Sequence, residues 1–282
     1  MTEPWTISSI ISWTTEDFKK RNIESPRLEA EILLCHVLKK QRLYLYTNFD
    51  SPLESDELAR FKKLISKRRE GVCSAAIIEN KEFWSLDFYV NEDVLIPRAD
   101  TEILVQSVLE QSSHAKNILD LCTGSGCIAI SLATELKDAE FDAVDISEKA
   151  LYVAKINCDR HEVNDRVNLL QGDLFEPLKE GKKYDVIVTN PPYVTSKQME
   201  NVSIEVRHEP QIALLGGGDD GLDIIKRILT DAQKYLTENG ALFIELDDRQ
   251  AEKTALELGP KYLNKEGTII RDLSGMQRVV KF

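Results

Sequence analysis

Asn117-Ile-Leu-Asp-Leu-Cys-Thr-Gly-Ser-Gly126 is the stretch that decides the fold. A short apolar run enters a glycine-rich turn and leads into a second apolar run, Cys127 to Leu136, so the order is strand, loop, helix. Gly124 permits a tight turn at positive φ, Gly126 permits close approach of backbone to a ligand, and the open N–H groups of the following helix favour an anionic group. Ala129 stands where dinucleotide-type folds put a third glycine or alanine. Alone, this pattern is weak evidence. It gains weight from Glu140-Phe-Asp-Ala-Val-Asp145, a second strand ending in an acid 19 residues after Gly126, where a ribose hydroxyl pair would be held. Asp145 can also be read as the cap of a helix from Ser147 to Asp159, and the two roles are compatible.

Outward from this unit, strands are expected near 117–122, 140–145, 167–171, 184–189 and 241–246, alternating with helices. That alternation implies a parallel α/β architecture, and strands around 267–271 and 278–282 close the chain. The fourth strand, Tyr184 to Thr189, runs into Asn190-Pro191-Pro192-Tyr193. Two prolines fix φ and remove two backbone donors, so the loop offers carbonyl oxygens and the Asn190 side chain as acceptors. Such an array suits a planar NH2 group, with Tyr193 as a stacking face. A plain strand-to-loop turn is the ordinary alternative for the tetrapeptide. The third strand ends at Gly172-Asp173-Leu174-Phe175, where Asp173 or a neighbouring amide could meet an adenine amino group, or a surface turn could form. Taken together, the glycine loop, the acid and the acceptor loop favour S-adenosylmethionine over a nicotinamide cofactor, which has no use for the last of them.

Composition narrows the class. The formal charge is −12, which repels polyanions and disfavours broad phosphate contact with nucleic acid. Residues 1 to 75 carry 13 Lys and Arg against 11 Asp and Glu, a net +2, so the remainder carries −14. The basic run Lys62 to Arg69 could touch an acidic partner or RNA, although a solvated helix face is the more ordinary reading. Cys35, Cys73, Cys122, Cys127 and Cys158 are odd in number and form no CxxC pair, which argues against disulfides and zinc. The four histidines are dispersed, so no metal site is expected. With no apolar run long enough to span a bilayer and no leader-like start, a cytoplasmic protein is expected.

The first 73 residues read as a helical domain. Ser25-Pro26 is expected to cap a helix whose Leu28, Ile32, Leu33 and Val37 share one face, and a second helix is expected over Ser55 to Arg69, with Leu58, Phe61, Leu64 and Ile65 inward and Gly71 beyond it. Residues 74 to 96, with Ala75 to Ile78 and Trp84, Leu86, Phe88 and Val90 on either side of Glu79-Asn80-Lys81, are expected to form a β-hairpin in which Trp84 packs. Ile96-Pro-Arg-Ala-Asp-Thr-Glu102 then bridges into the catalytic domain, 97–282.

At this point the chain resembles the HemK/PrmC protein-glutamine N5-methyltransferases of class-1 peptide chain release factors, over nearly its whole length. The resemblance rests on Ser25 to Leu34, Lys81-Glu-Phe-Trp84, Ile96 to Glu102, Asp120 to Gly126, Gly172 to Phe175, Asn190 to Tyr193, Glu209-Pro210, Gly216 to Gly221 and Arg271-Asp-Leu-Ser-Gly275. It implies a Rossmann-like S-adenosylmethionine-dependent methyltransferase domain with a small N-terminal helical domain that docks substrate, joined by a β-hairpin. It also implies that Cys122, Thr123, Gly124, Ser125 and Gly126 hold the methionine part of the cofactor, Asp145 the ribose, and Asp173 with Leu174 the adenine. Asn190, Pro191, Pro192 and Tyr193 would then hold the target glutamine, with Asn190 also at the cofactor and Asn190 and Pro191 catalytic. The family usually has glycine where Cys122 stands, proline where Ala99 stands and Gly-Glu-Pro-Val where this chain has Gly71-Val-Cys-Ser74. Two rival functions use the same residues. A nucleic-acid exocyclic-amine methyltransferase could hold a base in the acceptor loop, and a non-enzymatic module could retain the fold; net acidity disfavours the first, and two intact loops the second.

Overall fold

The computed structural model describes residues 4–282, so the first three positions of the expected helical domain lie outside the described residues. Two units are resolved, one ending at Glu79 and one from Asn80 to Phe282. Among the described residues no helix is long and apolar enough to cross a membrane.

Among the described residues the first unit has five helices: α1 (Ile7–Lys19), α2 (Pro26–Leu38), α3 (Arg42–Thr47), α4 (Ser55–Arg69) and α5 (Ser74–Ile78). Thr6 and Ser9 form a reciprocal capping box at the start of α1, satisfying donors that a helix end leaves open. Its core gathers Ile10, Ile11, Phe18, Leu33, Leu34, Phe61 and Ile65. Helix α4 has the bounds and inward face expected. Helix α2 differs in two respects. Ser25 takes φ 45° and makes no side-chain cap, and the buried face is Ala30, Glu31, Leu33, Leu34 and Val37, which leaves Leu28 exposed. A buried glutamate shifts the stripe by a residue, which an apolar pattern cannot register.

In the second unit the expected hairpin is shorter and later. Ser74 to Ile78 are helical, and the strands are β1 (Lys81–Phe83) and β2 (Leu86–Phe88), paired about Trp84 and Ser85 at φ 53° and 57°. Both turn residues are left-handed, the conformation a two-residue hairpin requires, without the usual glycine or asparagine. Trp84 is therefore a turn residue rather than hairpin packing. Its backbone N–H donates to Glu102 and its indole to Glu135, each at 2.9 Å.

The main elements follow as α6 (Glu102–Gln111), β3 (Asn117–Leu121), α7 (Cys127–Glu135), β4 (Glu140–Asp145), α8 (Glu148–Arg160), β5 (Val167–Gln171) and β6 (Tyr184–Thr189). After them come α9 (Ser196–Met199), α10 (Ile204–Arg207), α11 (Asp223–Tyr235), β7 (Leu236–Glu245), α12 (Asp248–Lys253), α13 (Gly259–Leu263), β8 (Thr268–Arg271) and β9 (Gln277–Lys281). Seven strands form one sheet in the order β5-β4-β3-β6-β7-β9-β8. The first five pair in parallel, but β9 inserts antiparallel between β7 and β8, so the sheet is mixed where alternation alone implied a parallel one. β8 and β9 form a hairpin and run opposite to one another, and the one that pairs with β7 is the antiparallel one. Leu119, Leu121, Ile187, Leu242 and Ile244 pack beneath α11, whose Ile225, Ile228 and Leu229 recur at helical spacing.

Candidate active site

Strand register sets the two sequence motifs side by side. Leu121 pairs with Thr189, so Cys122 and Asn190 are the first residues past adjacent strand ends, and the Thr189 hydroxyl donates to the Leu121 carbonyl at 2.7 Å. On the other flank Asp145 pairs with Gln171, placing Gly172 and Asp173 just beyond. The strand order reverses direction at β3, between β4 and β6, which opens a crevice over these ends. A cavity of about 200 Å³ lies there, lined among others by Cys122, Gly124, Asp145, Asp173, Leu174, Asn190 and Pro192.

The glycine loop divides its labour differently from expectation. Gly124, at φ 55°, lines the cavity, and a Cβ built on it would meet nothing within 4 Å. Gly126, at φ 80°, faces inward: a Cβ there would stand 2.9 Å from Ile130 and 3.3 Å from Ala154, so its smallness serves the packing of α7 against α8. Thr123 and Ser125 are also buried, and the Thr123 hydroxyl donates to Asp120 at 2.6 Å. These three residues shape the loop without lining the cavity. Asp145 accepts from the N–H of Gly124 at 2.8 Å and of Ser147 at 2.9 Å. The cap of α8 is Ser147, which accepts from Ala150, so Asp145 braces the glycine loop and faces the cavity instead. Burial raises its pKa against those two N–H bonds.

Cys122 takes φ 60°, a left-handed conformation that strains any residue with a Cβ. Burial, then Asp145 and Asp120, push its thiol far above the ordinary range, so it stays protonated and is no nucleophile. Asp173 is paired with Arg227 of α11 at 2.9 Å, and both line the cavity.

In the acceptor loop Pro191 is buried, whereas Asn190, Pro192 and Tyr193 are half-buried. Among the described residues no donor meets the Asn190 Oδ1 or the Pro191 carbonyl. The loop is clamped from behind. Gln250 donates to the Tyr193 and Asp220 carbonyls at 3.0 and 2.8 Å, and a Cβ on Gly221 would fall 2.3 Å from the Tyr193 oxygen. Gly216 and Gly221 lie against the acceptor loop, where a Cβ would not fit, whereas Gly217 and Gly218 face Asp223.

Ile96 to Glu102, expected only as a connection, ties the site together. Arg98 donates to both oxygens of buried Glu209 at 2.6 and 2.8 Å, Asp100 pairs with Arg278 at 3.0 Å, and Thr101 donates to Glu245 at 3.1 Å. The Asn190 Nδ2 in turn donates to Thr101 at 3.2 Å. Sequence reading missed Thr101, Glu209 and Glu245. Glu245 carried a signal: it closes the apolar run Ala241 to Ile244 as Asp145 closes its own. Burial raises its pKa to about 7, opposed by the Thr101 hydrogen bond and by Arg278.

The family described as PrmC N-terminal domain matches residues 9–78, and that described as methyltransferase small domain matches residues 98–219. The release factor glutamine methyltransferase of Rhodopirellula baltica is 41% identical over 98% of this chain and 96% of its own. That of Geobacter sulfurreducens is 40% identical over 99% of this chain and 96% of its own. A methyltransferase structure from Pyrococcus furiosus, 20% identical, covers 81% of this chain and 97% of its own at a TM-score of 0.53, a likeness of fold.

Proposed function

The chain belongs to the release factor glutamine methyltransferases, and we propose that Asn190 and Pro191 orient the glutamine that it methylates. Its reaction is transfer of a methyl group from S-adenosylmethionine to the side-chain amide nitrogen, N5, of the glutamine in the Gly-Gly-Gln motif of class-1 release factors. One observation carries the site assignment: the Leu121–Thr189 register, which sets an acceptor-rich loop beside a cavity braced by Asp145.

The residues present fit the cofactor. Gly124 leaves open space above the loop, Asp145 puts a carboxylate at the end of β4, and Leu174 gives an apolar wall beside Asp173. In the loop from Cys122 to Gly126, Cys122 and Gly124 would meet the methionine part while Thr123, Ser125 and Gly126 hold the loop in shape, with Asp145 at the ribose and Asp173 with Leu174 at the adenine. Bound there, S-adenosylmethionine supplies an electrophilic methyl group on sulfur.

The difficulty lies in the acceptor, because an amide nitrogen delocalises its lone pair into the carbonyl. Asn190 Oδ1 and the Pro191 carbonyl accept its two N–H bonds, fixing the plane of the amide so that the lone pair faces the methyl. Alkylation leaves the nitrogen strongly acidic, and its proton then passes to water.

In this proposal the helical unit docks the body of the release factor, through a surface that includes exposed Lys62, Lys63 and Lys67. Arg68 and Arg69 of the same run are instead paired with Glu29 and Asp17. Reversing the three lysines to glutamate should raise KM for release factor and leave cofactor affinity alone; an unchanged KM would remove docking from that face. Release factors act in the cytoplasm, where we place the enzyme, and neither stable nucleic acid nor membrane enters its reaction. An exocyclic base amine offers the same planar NH2 group, so the decisive assay offers labelled S-adenosylmethionine with release factor, with a release factor whose Gly-Gly-Gln ends in alanine, and with total nucleic acid. Label should enter the first alone. Transfer to nucleic acid, or to the alanine variant, would overturn the assignment.

A further inference from the structure

We propose that Glu245, acting through Thr101, is a positioning residue that holds the Asn190 side-chain amide with its oxygen toward the substrate. The inference rests on the reading that Asn190 Oδ1 accepts from the target amide.

The two ends of an asparagine amide are nearly the same size, so packing alone does not choose between them. Here a hydrogen-bond chain chooses. Asn190 Nδ2 donates to Thr101 Oγ1 at 3.2 Å, and Thr101 Oγ1 donates to Glu245 Oε1 at 3.1 Å. A hydroxyl has one proton to give. Facing a carboxylate, which only accepts, Thr101 must spend that proton on Glu245, so its lone pairs meet a donor and the NH2 end of Asn190 turns to it. Oδ1 is left on the other side. Facing a protonated Glu245, the same hydroxyl can accept from the acid and donate to Asn190 Oδ1, and the amide can turn over. An overturned Asn190 would present NH2 to the NH2 of the substrate, donor against donor, and the target nitrogen would lose its acceptor.

Burial makes the chain consequential. Thr101 and Glu245 are each 2% exposed, so water does not stand in for either partner. The other oxygen of Glu245, Oε2, is buried without a donor at ordinary hydrogen-bond geometry, and the Asn190 amide also favours the Glu245 charge directly, which holds its NH2 end on the same side as the Thr101 bond does. The charged and titratable groups that bear on Glu245 come from four directions: Arg278 on β9, Asp100 ahead of α6, Tyr193 in the acceptor loop and Cys127 on α7. Arg278 is engaged with Asp100 and Asp272, and burial pushes the ionisation of Tyr193 and Cys127 upward, so both stay neutral. Glu245 itself is raised to about 7, within reach of ordinary assay conditions.

The test is single-turnover methylation of release factor at saturating cofactor between about pH 5.5 and 8.5, with circular dichroism as a control for folding. The wild-type rate constant should climb to a plateau with a midpoint near 7. Thr101→Val, which cuts the chain while keeping the shape, should lower the plateau on the order of tenfold and flatten most of that climb. Glu245→Gln cannot ionise, so its rate should stay low and flat across the range. Thr101→Ser keeps the hydroxyl and should restore both the rate and its pH dependence. A climb that persists in Thr101→Val and Glu245→Gln would overturn the inference, as would wild-type rates in both. Asn190→Ala separates the two levels. Should it be slow while Thr101→Val and Glu245→Gln match wild type, only the orienting chain fails; should Asn190→Ala itself be fast, the reading of the acceptor loop fails with it.

Discussion

Both units bury carboxylates that are fully partnered, Glu31 in the helical unit and Asp142 in the catalytic one, but only the catalytic unit pairs this with the opposite treatment at Asp120 and Glu245. In the helical unit Glu31 is 1% exposed and accepts from Arg27, Arg42 and Tyr46. Burial opposes its charge, but those hydrogen bonds outweigh the opposition and hold its pKa below the usual range. In the catalytic unit Asp120 and Glu245 are as deeply buried, yet each keeps one oxygen with no hydrogen bond, and burial drives both to about 7. A fully partnered buried carboxylate stabilises the unit that contains it. One left half-partnered weakens the fold locally and keeps a group poised to change state.

If that contrast is right, disturbing the catalytic side should damage rate more than stability. Asn190→Ala should lower methyl transfer by at least ~10²-fold, the scale for losing one preorganised polar contact in a transition state. Cofactor affinity and melting temperature should change far less. Single-turnover methylation near the wild-type rate would remove the chemistry from this loop.

Opposed pH dependences sharpen the contrast. Asp120 and Glu245 have folded pKa values above their unfolded ones, so between about pH 4 and 7 the native state binds more protons, and raising pH through that window costs stability. The loss is on the order of 4 kcal/mol for Asp120 and about 3 kcal/mol for Glu245, each taken alone. Glu31 has the reverse sign: its contribution is present above the unfolded pKa and vanishes as pH falls through the lowered folded value. Urea unfolding of Glu245→Gln across pH 4 to 8 should show a flatter profile than wild type. An unchanged profile would mean that Glu245 titrates alike in both states.

Breaking the helical side should do the converse. Glu31→Gln keeps the shape but turns an NH2 toward donors from Arg27, Arg42 or Tyr46, at a cost of about 1–3 kcal/mol. Trp5 and Trp13 lie in that unit and report its unfolding by fluorescence. Cofactor binding should not move.

How much of this was legible beforehand follows the same division. Strand ends were, because a buried parallel strand is a continuous apolar run whose limits are sharp: β4, β5 and β6 fall on the expected residues. Residues standing at or just past those ends, Cys122, Asp145, Asp173 and Asn190, could therefore be placed at one crevice from the sequence. The layer behind them could not. Thr101 and Glu245 are 144 residues apart, and Arg98 and Glu209 are 111 apart. Pairings of that span come from the strand order, and one sequence carries no periodic trace of them. The same holds for the insertion of β9 and for Glu31, which sits in an otherwise apolar stripe because three donors converge on it from α2 and α3.

The smallest expected effect tests the catalytic side most finely. Cys122 holds φ 60° where the family it resembles usually carries glycine, and a left-handed residue with a Cβ costs about 1–2 kcal/mol. Cys122→Gly removes that strain, but it adds unfolded-chain freedom worth roughly 0.5–1 kcal/mol and gives up a half-buried thiol. These terms nearly cancel, so stability should shift by less than about 1 kcal/mol in either direction. Cofactor affinity, read by calorimetry, should stay within about threefold, since Gly124 and Asp145 keep their mutual hydrogen bond. What should change is the field around Asp120. Cys122 lies near enough to Asp120 to feel its charge, and the raised pKa of that carboxyl is due first to burial, so removing the thiol is expected to admit solvent toward it. Asp120 should then titrate closer to an ordinary aspartate, measurable by NMR of its side-chain carbon. A variant that loses cofactor binding outright would show that Cys122 holds the ligand by its side chain, and one in which Asp120 does not move would show that the thiol is no barrier to water.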